Sequence, residues 1–124
     1  MNRRIWCAAL LAAGLVVGGC GGESSPGTST SANATSAVTV DVRIANGTVT
    51  PTNAHNDAKV GQQIVFVVSS DAEDELHVHA SPDHEFEVAA KPDQRFEFTV
   101  DVPGQVEVEL HHAHRTVTTL TVRP

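Results

Sequence analysis

Sulfur is nearly absent from this chain of 124 residues, which has two cysteines, Cys7 and Cys20, and one methionine, Met1. From residue 21 onward any metal must therefore be held by imidazole, carboxylate or water, because neither thiolate nor thioether is present. Tyrosine is missing and the single tryptophan is Trp6, so the four phenylalanines and the aliphatic residues must build the core. No thiol follows Cys20 and no Gly-x-Ser-x-Gly elbow occurs, which excludes the familiar cysteine and serine nucleophile arrangements. Positive charge is scarce as well. Beyond residue 19 only Arg43, Lys59, Lys91, Arg95, Arg115 and Arg123 stand against all fifteen acidic residues, a formal charge of −9. Such a surface excludes nucleic acid as a partner.

The start of the chain carries its own signal. Arg3 and Arg4 precede an apolar stretch from Ile5 to Val17 that closes on small residues, the pattern of a secretory signal and too short for a spanning helix. The ending Leu15-Val16-Val17-Gly18-Gly19-Cys20 resembles the lipobox of bacterial lipoproteins. That resemblance implies cleavage after residue 19, lipidation of Cys20, and attachment to the cell membrane on its extracytoplasmic face. Arg3-Arg4 is also compatible with twin-arginine export, but the pair alone is a weak signal and an ordinary basic start explains it better. With Cys20 acylated no disulfide can form, so stability has to come from packing. Residues 20–37 form a Gly, Ser and Thr tether too polar to order itself, with a flexible reach of about 20 to 25 Å.

Residues 38–124 read as one domain with a dominant period of two. Val38, Val40, Val42 and Ile44 alternate with polar residues up to the turn signal Asn46-Gly47. Ile64, Phe66 and Val68 form a second set, with Val65 and Val67 filling the other parity, as in a strand covered on both faces. Phe96, Phe98 and Val100 form a third, Val106, Val108 and Leu110 a fourth, and Thr116 to Val122 closes the series. Pro51, Gly61, Pro82, Pro92 and Pro103-Gly104 punctuate these runs. No amphipathic helix and no repeat is visible. About seven short strands at this spacing predict an all-β fold, an antiparallel Greek-key β-sandwich.

Six of the seven histidines fall in two clusters, His77-Val78-His79 with His84, and His111-His112-Ala113-His114. In a strand His77 and His79 share a face at about 6.7 Å along the chain, close enough to converge on one ion. His111 shares the parity of Glu107 and Glu109, while His112 shares that of the apolar Val106, Val108 and Leu110. His55, in the loop Asn53 to Asp57, is expected to be an ordinary solvated residue. Asp71, Glu73, Asp74 and Glu75, just ahead of His77, would attract cations or simply form a soluble loop.

The succession of a Val-Gly-Gln turn into an apolar strand, a histidine-bearing loop, the Phe96-x-Phe98-x-Val100 strand and Pro103-Gly104 leading to a strand that ends in histidines resembles the cupredoxin-like domains of bacterial envelope proteins. It spans essentially all of residues 38–124. The resemblance implies a cupredoxin-like sandwich with the two histidine clusters near one end. It places His77 at the upstream histidine ligand, but puts Leu110 where the copper-binding cysteine stands, with no methionine after it. A blue-copper site lacks its thiolate here. The ligand set expected instead is His77, His79, His111 and His114, with His112 and His84 in reserve. Cu(II) is the first choice of ion and Zn(II) the second, since affinity in a nitrogen site peaks at copper. Two alternatives stand beside metal handling. One is a metal-free sandwich that binds another envelope protein. The other is an enzyme, because the His-x-His pair resembles that of copper–zinc superoxide dismutases; this chain, however, lacks their disulfide and any recognisable zinc loop, so no enzymatic activity is expected.

Overall fold

The computed structural model describes residues 35–124; the signal segment 1–19, Cys20 and most of the 20–37 tether lie outside them. Nine strands are present among the described residues, with no helix: β1 (Val38–Ala45), β2 (Thr48–Thr50), β3 (Ala54–Lys59), β4 (Ile64–Ser70), β5 (Asp74–Val78), β6 (His84–Val88), β7 (Gln94–Phe98), β8 (Gly104–Leu110) and β9 (Arg115–Arg123). They make two sheets, ordered β2-β1-β4-β7 and β3-β9-β8-β5-β6. This is a β-sandwich whose chain changes sheet repeatedly.

The local reasons are those of the period-two pattern. In β1 the side chains of Val40, Val42 and Ile44 are buried while Asp41 and Arg43 face water. Asn46 and Gly47 both take positive φ, at 52° and 73°, and pair Ala45 with Thr48, as a tight two-residue hairpin requires. In β4, Ile64, Val65, Phe66 and Val68 have no exposed surface, although Val67 on the outward parity keeps some. Phe66 stacks on Phe98, with ring centroids 5.9 Å apart, and Leu76, Val108, Leu110, Val117 and Leu120 of the five-stranded sheet complete the core.

Strand pairing departs from the wholly antiparallel expectation. β1 runs parallel to β4, and β3 runs parallel to β9. Local alternation cannot report strand direction, which depends on connections that cross between sheets. The segment with His55 is not a loop but the edge strand β3, where His55 lies opposite Thr119. Short polar edge strands of this kind carry no apolar stripe and so escape a hydrophobic-period reading. The acidic run before His77 is likewise more than a soluble loop. Asp74 opens β5 and is only 5% exposed.

Candidate metal site on the outer sheet face

β5 lies between β8 and β6, and its register defines the site. His77 is opposite Glu109 on one side and Glu85 on the other, so a carboxylate, an imidazole and a carboxylate cross three strands in one row. Because Leu76 and Val78 are fully buried, alternation turns His77 outward. His79 lies just past β5, but its N–H still donates to the carbonyl of Glu107 at 2.9 Å, so the extended backbone persists and His79 keeps the face of His77. The two rings lean together, with centroids 4.2 Å apart. This bears on the spacing expected along a strand: the imidazoles approach more closely than their backbones.

Each imidazole meets its own carboxylate. His77 Nε2 is 3.7 Å from Asp83 Oδ2 and 3.8 Å from Glu85 Oε1. His79 Nε2 is 3.0 Å from Glu109 Oε2, and His111 Nδ1 is 3.0 Å from Glu75 Oε1. His111 is tied to the same neighbour through its backbone, its N–H donating to the Glu75 carbonyl at 2.9 Å, and its ring centroid is 6.1 Å from that of His77. The Glu109 carboxyl is held below the usual carboxylate range chiefly by the hydrogen bond to His79, which outweighs the upward push of burial. The charge of His79, the Thr116 hydroxyl and His77 lower it further.

The remaining histidines do not join this row. His84 begins β6 on the inward parity, opposite in face to Glu85, with its ring 5.4 Å from Phe98 and 6.2 Å from Phe86. Its Nε2 is buried without a hydrogen-bond partner among the described residues. His112 does not continue the inward parity of Leu110, because β8 ends there and residues 111–114 form a turn. Its side chain is exposed, and its backbone N–H donates to Asp74 Oδ1 at 2.8 Å. His114 closes the turn with φ of 50° and lines a recess of about 190 Å³ with Glu109, His111 and Arg115. Buried Asp74 organises this turn, its Oδ2 accepting from the Ala113 N–H at 3.1 Å as well. The outer face therefore gathers His77, His79 and His111 from the expected set.

Asp83 and Glu85 are the residues that sequence reasoning missed. Together with His77 they offer three ligand atoms that all lie within 4.8 Å of one another. Metal–ligand bonds of 2.0 to 2.1 Å put tetrahedral donors about 3.3 Å apart. The His77 contacts thus need to shorten by about half an ångström, and the carboxylates, both on exposed side chains, have the freedom to close in. The signal in the sequence was the Ser81-Pro82 turn, which folds β6 back so that Glu85 meets His77, but its register is set only by the completed hairpin.

No family model matches the chain, and no curated protein does. Among solved structures, an oxidized methionine-to-leucine mutant of amicyanin superposes with a TM-score of 0.50 at 15% sequence identity, covering 68% of this chain and 81% of that one. A methionine-to-alanine mutant of amicyanin in its Cu(I) form gives 0.48 at 16% identity, covering 68% and 82%. With the all-β sandwich described above, the first likeness makes the fold cupredoxin-like. The described residues include neither cysteine nor methionine, so they offer a blue-copper centre no thiolate. Leu110, where that centre's cysteine is expected, pairs with Leu76 and has no exposed surface. Its side chain enters the core, while His77 projects from the other face of the same sheet.

Proposed function

We propose that this protein is a membrane-anchored, extracytoplasmic lipoprotein whose cupredoxin-like domain handles a divalent transition metal on the outer face of its five-stranded sheet. Binding, not catalysis or blue-copper electron transfer, is its role. The observation that carries the reading is the convergence of His77 Nε2, Asp83 and Glu85 within 4.8 Å, with the ring of His79 4.2 Å from that of His77. His77 anchors the ion, Asp83 and Glu85 supply oxygen, and His79 is the fourth donor once it turns from Glu109. His111, with its ring 6.1 Å from that of His77, is a further imidazole on this face, and His114 shares a recess with it. Mixed imidazole and carboxylate donors suit Cu(II) first and Zn(II) second. The ion supplies charge neutralisation to a face on which Glu75 and Glu87 lie directly opposite each other, an arrangement that is otherwise repulsive.

Isothermal titration of the chain from residue 21 onward, which contains every described strand, tests this with Cu(II) and Zn(II) chlorides. One saturable ion per chain is expected. The double change His77→Ala and His79→Ala should weaken binding at least tenfold more than His55→Ala. Equal losses, or no saturable binding, refute the assignment.

A further inference from the structure

We infer that the bound ion is passed on by direct ligand exchange with a positively charged partner, not released by unfolding or opening of an enclosed site. The inference rests on the metal-binding reading above and specifies how that site is used. Three features of the site lead to it.

The first is exposure. The carboxylates that face His77 are 68% exposed at Asp83 and 57% at Glu85, and His79 retains 45%. All stand on the outward side of the five-stranded sheet, whereas the other sheet packs against its inward side through Leu76, Val78, Val108 and Leu110. An ion held there lies above the sheet, within reach of a second molecule.

The second is incomplete coordination. Three donor atoms converge without His79, so a tetrahedral or tetragonal ion has a position open whenever His79 is turned back to Glu109. Water fills such a position until an incoming donor displaces it. The new bond then forms before the old ones break, so the ion is never free. Each protein ligand leaves in turn, His77 and His79 as neutral imidazoles and Asp83 and Glu85 as carboxylates, while the incoming nitrogens bind as free bases that have shed their protons to solvent, with no change in the oxidation state of the metal.

The third is charge. Glu75, Glu85, Glu87, Glu107 and Glu109 all occupy outward positions on β5, β6 and β8, and neither a lysine nor an arginine lies on these three strands. An approaching anion is repelled by that surface and a cation is drawn to it. The acceptor chemistry that fits is a nitrogen-donor ligand set carried on a cationic surface.

The test is stopped-flow transfer of Cu(II) from the singly loaded chain, residue 21 onward, to triethylenetetramine, a cationic polyamine chelator. Ligand exchange makes the transfer rate rise in proportion to chelator, about tenfold for a tenfold increase in concentration. The rate should also fall as salt is raised from 10 to 200 mM, roughly the range over which screening of exposed charges takes hold. Asp83→Asn, which weakens one retaining ligand, should accelerate transfer at fixed chelator. A rate independent of chelator concentration overturns the exchange mechanism, and a rate insensitive to salt overturns the cationic partner. Either result with saturable Cu(II) binding intact leaves the metal site standing, whereas loss of saturable binding removes the reading beneath it.

Discussion

Replacing Asp74 with alanine should be among the most damaging single changes available in this domain. Its carboxylate is buried and accepts three backbone N–H groups, from Glu75 at 2.7 Å, His112 at 2.8 Å and Ala113 at 3.1 Å. The last two belong to the turn that links β8 to β9, whose tight geometry offers them no other acceptor among the described residues. A hydrogen bond to a charged group contributes about 1.5 to 3 kcal/mol, and an orphaned buried donor costs about 1 to 3. Because His112 is exposed, water can reach part of the turn, so the lower half of that range applies to each amide. The expected loss is about 2 to 4 kcal/mol. With a urea slope near 1.5 kcal/mol per molar, the unfolding midpoint should fall by about 1.3 to 2.7 M. Asp74→Asn, which keeps one acceptor oxygen, should lose about half as much. Urea titration followed by far-ultraviolet circular dichroism measures both, and an alanine variant with an unchanged midpoint refutes the role given to the Asp74 carboxylate.

Acid stability offers a second check. The Glu109 carboxyl is depressed in the folded protein, so its contribution is present above the ordinary carboxylate pKa and is lost as pH falls through the lowered folded value. Glu109→Gln should therefore flatten the acid limb of a stability-against-pH curve, and an unaltered limb would remove that linkage. Leu110→Cys should not produce the intense charge-transfer band of a copper–thiolate bond when Cu(II) is added, because the new sulfur points into the core away from His77; it should also cost about 2 kcal/mol through the cavity it leaves. Appearance of that band under native conditions contradicts the facing assigned to β8. Finally, Cys20→Ser should release the protein from the membrane fraction, and unchanged partitioning with unchanged intact mass counts against lipidation.

The amino-acid pattern was enough for the all-β class, because valines, isoleucines and phenylalanines at every second position can be buried together only on pleated strands. Val40, Val42 and Ile44, or Val106, Val108 and Leu110, are buried as their alternation requires. It also put His77 and His79 on one face, since side chains two apart on a strand must agree. Edge strands were less legible: β3 and β6 are short and rich in polar residues, and they exist because β9 and β5 offer them hydrogen-bonding edges. Which face the histidines occupy was settled by long-range packing. Outward placement of His77 follows from the burial of Leu76 against Leu110, a long-range pairing that no local pattern encodes. The same holds for the partners of that imidazole. Asp83 and Glu85 reach it through hairpin register, Glu109 through the pairing of β5 with β8, and the turn of His111 to His114 is fixed by Asp74, far away in the chain. Periodicity says which residues share a side; only the packing of one sheet on the other says whether that side meets the core or water.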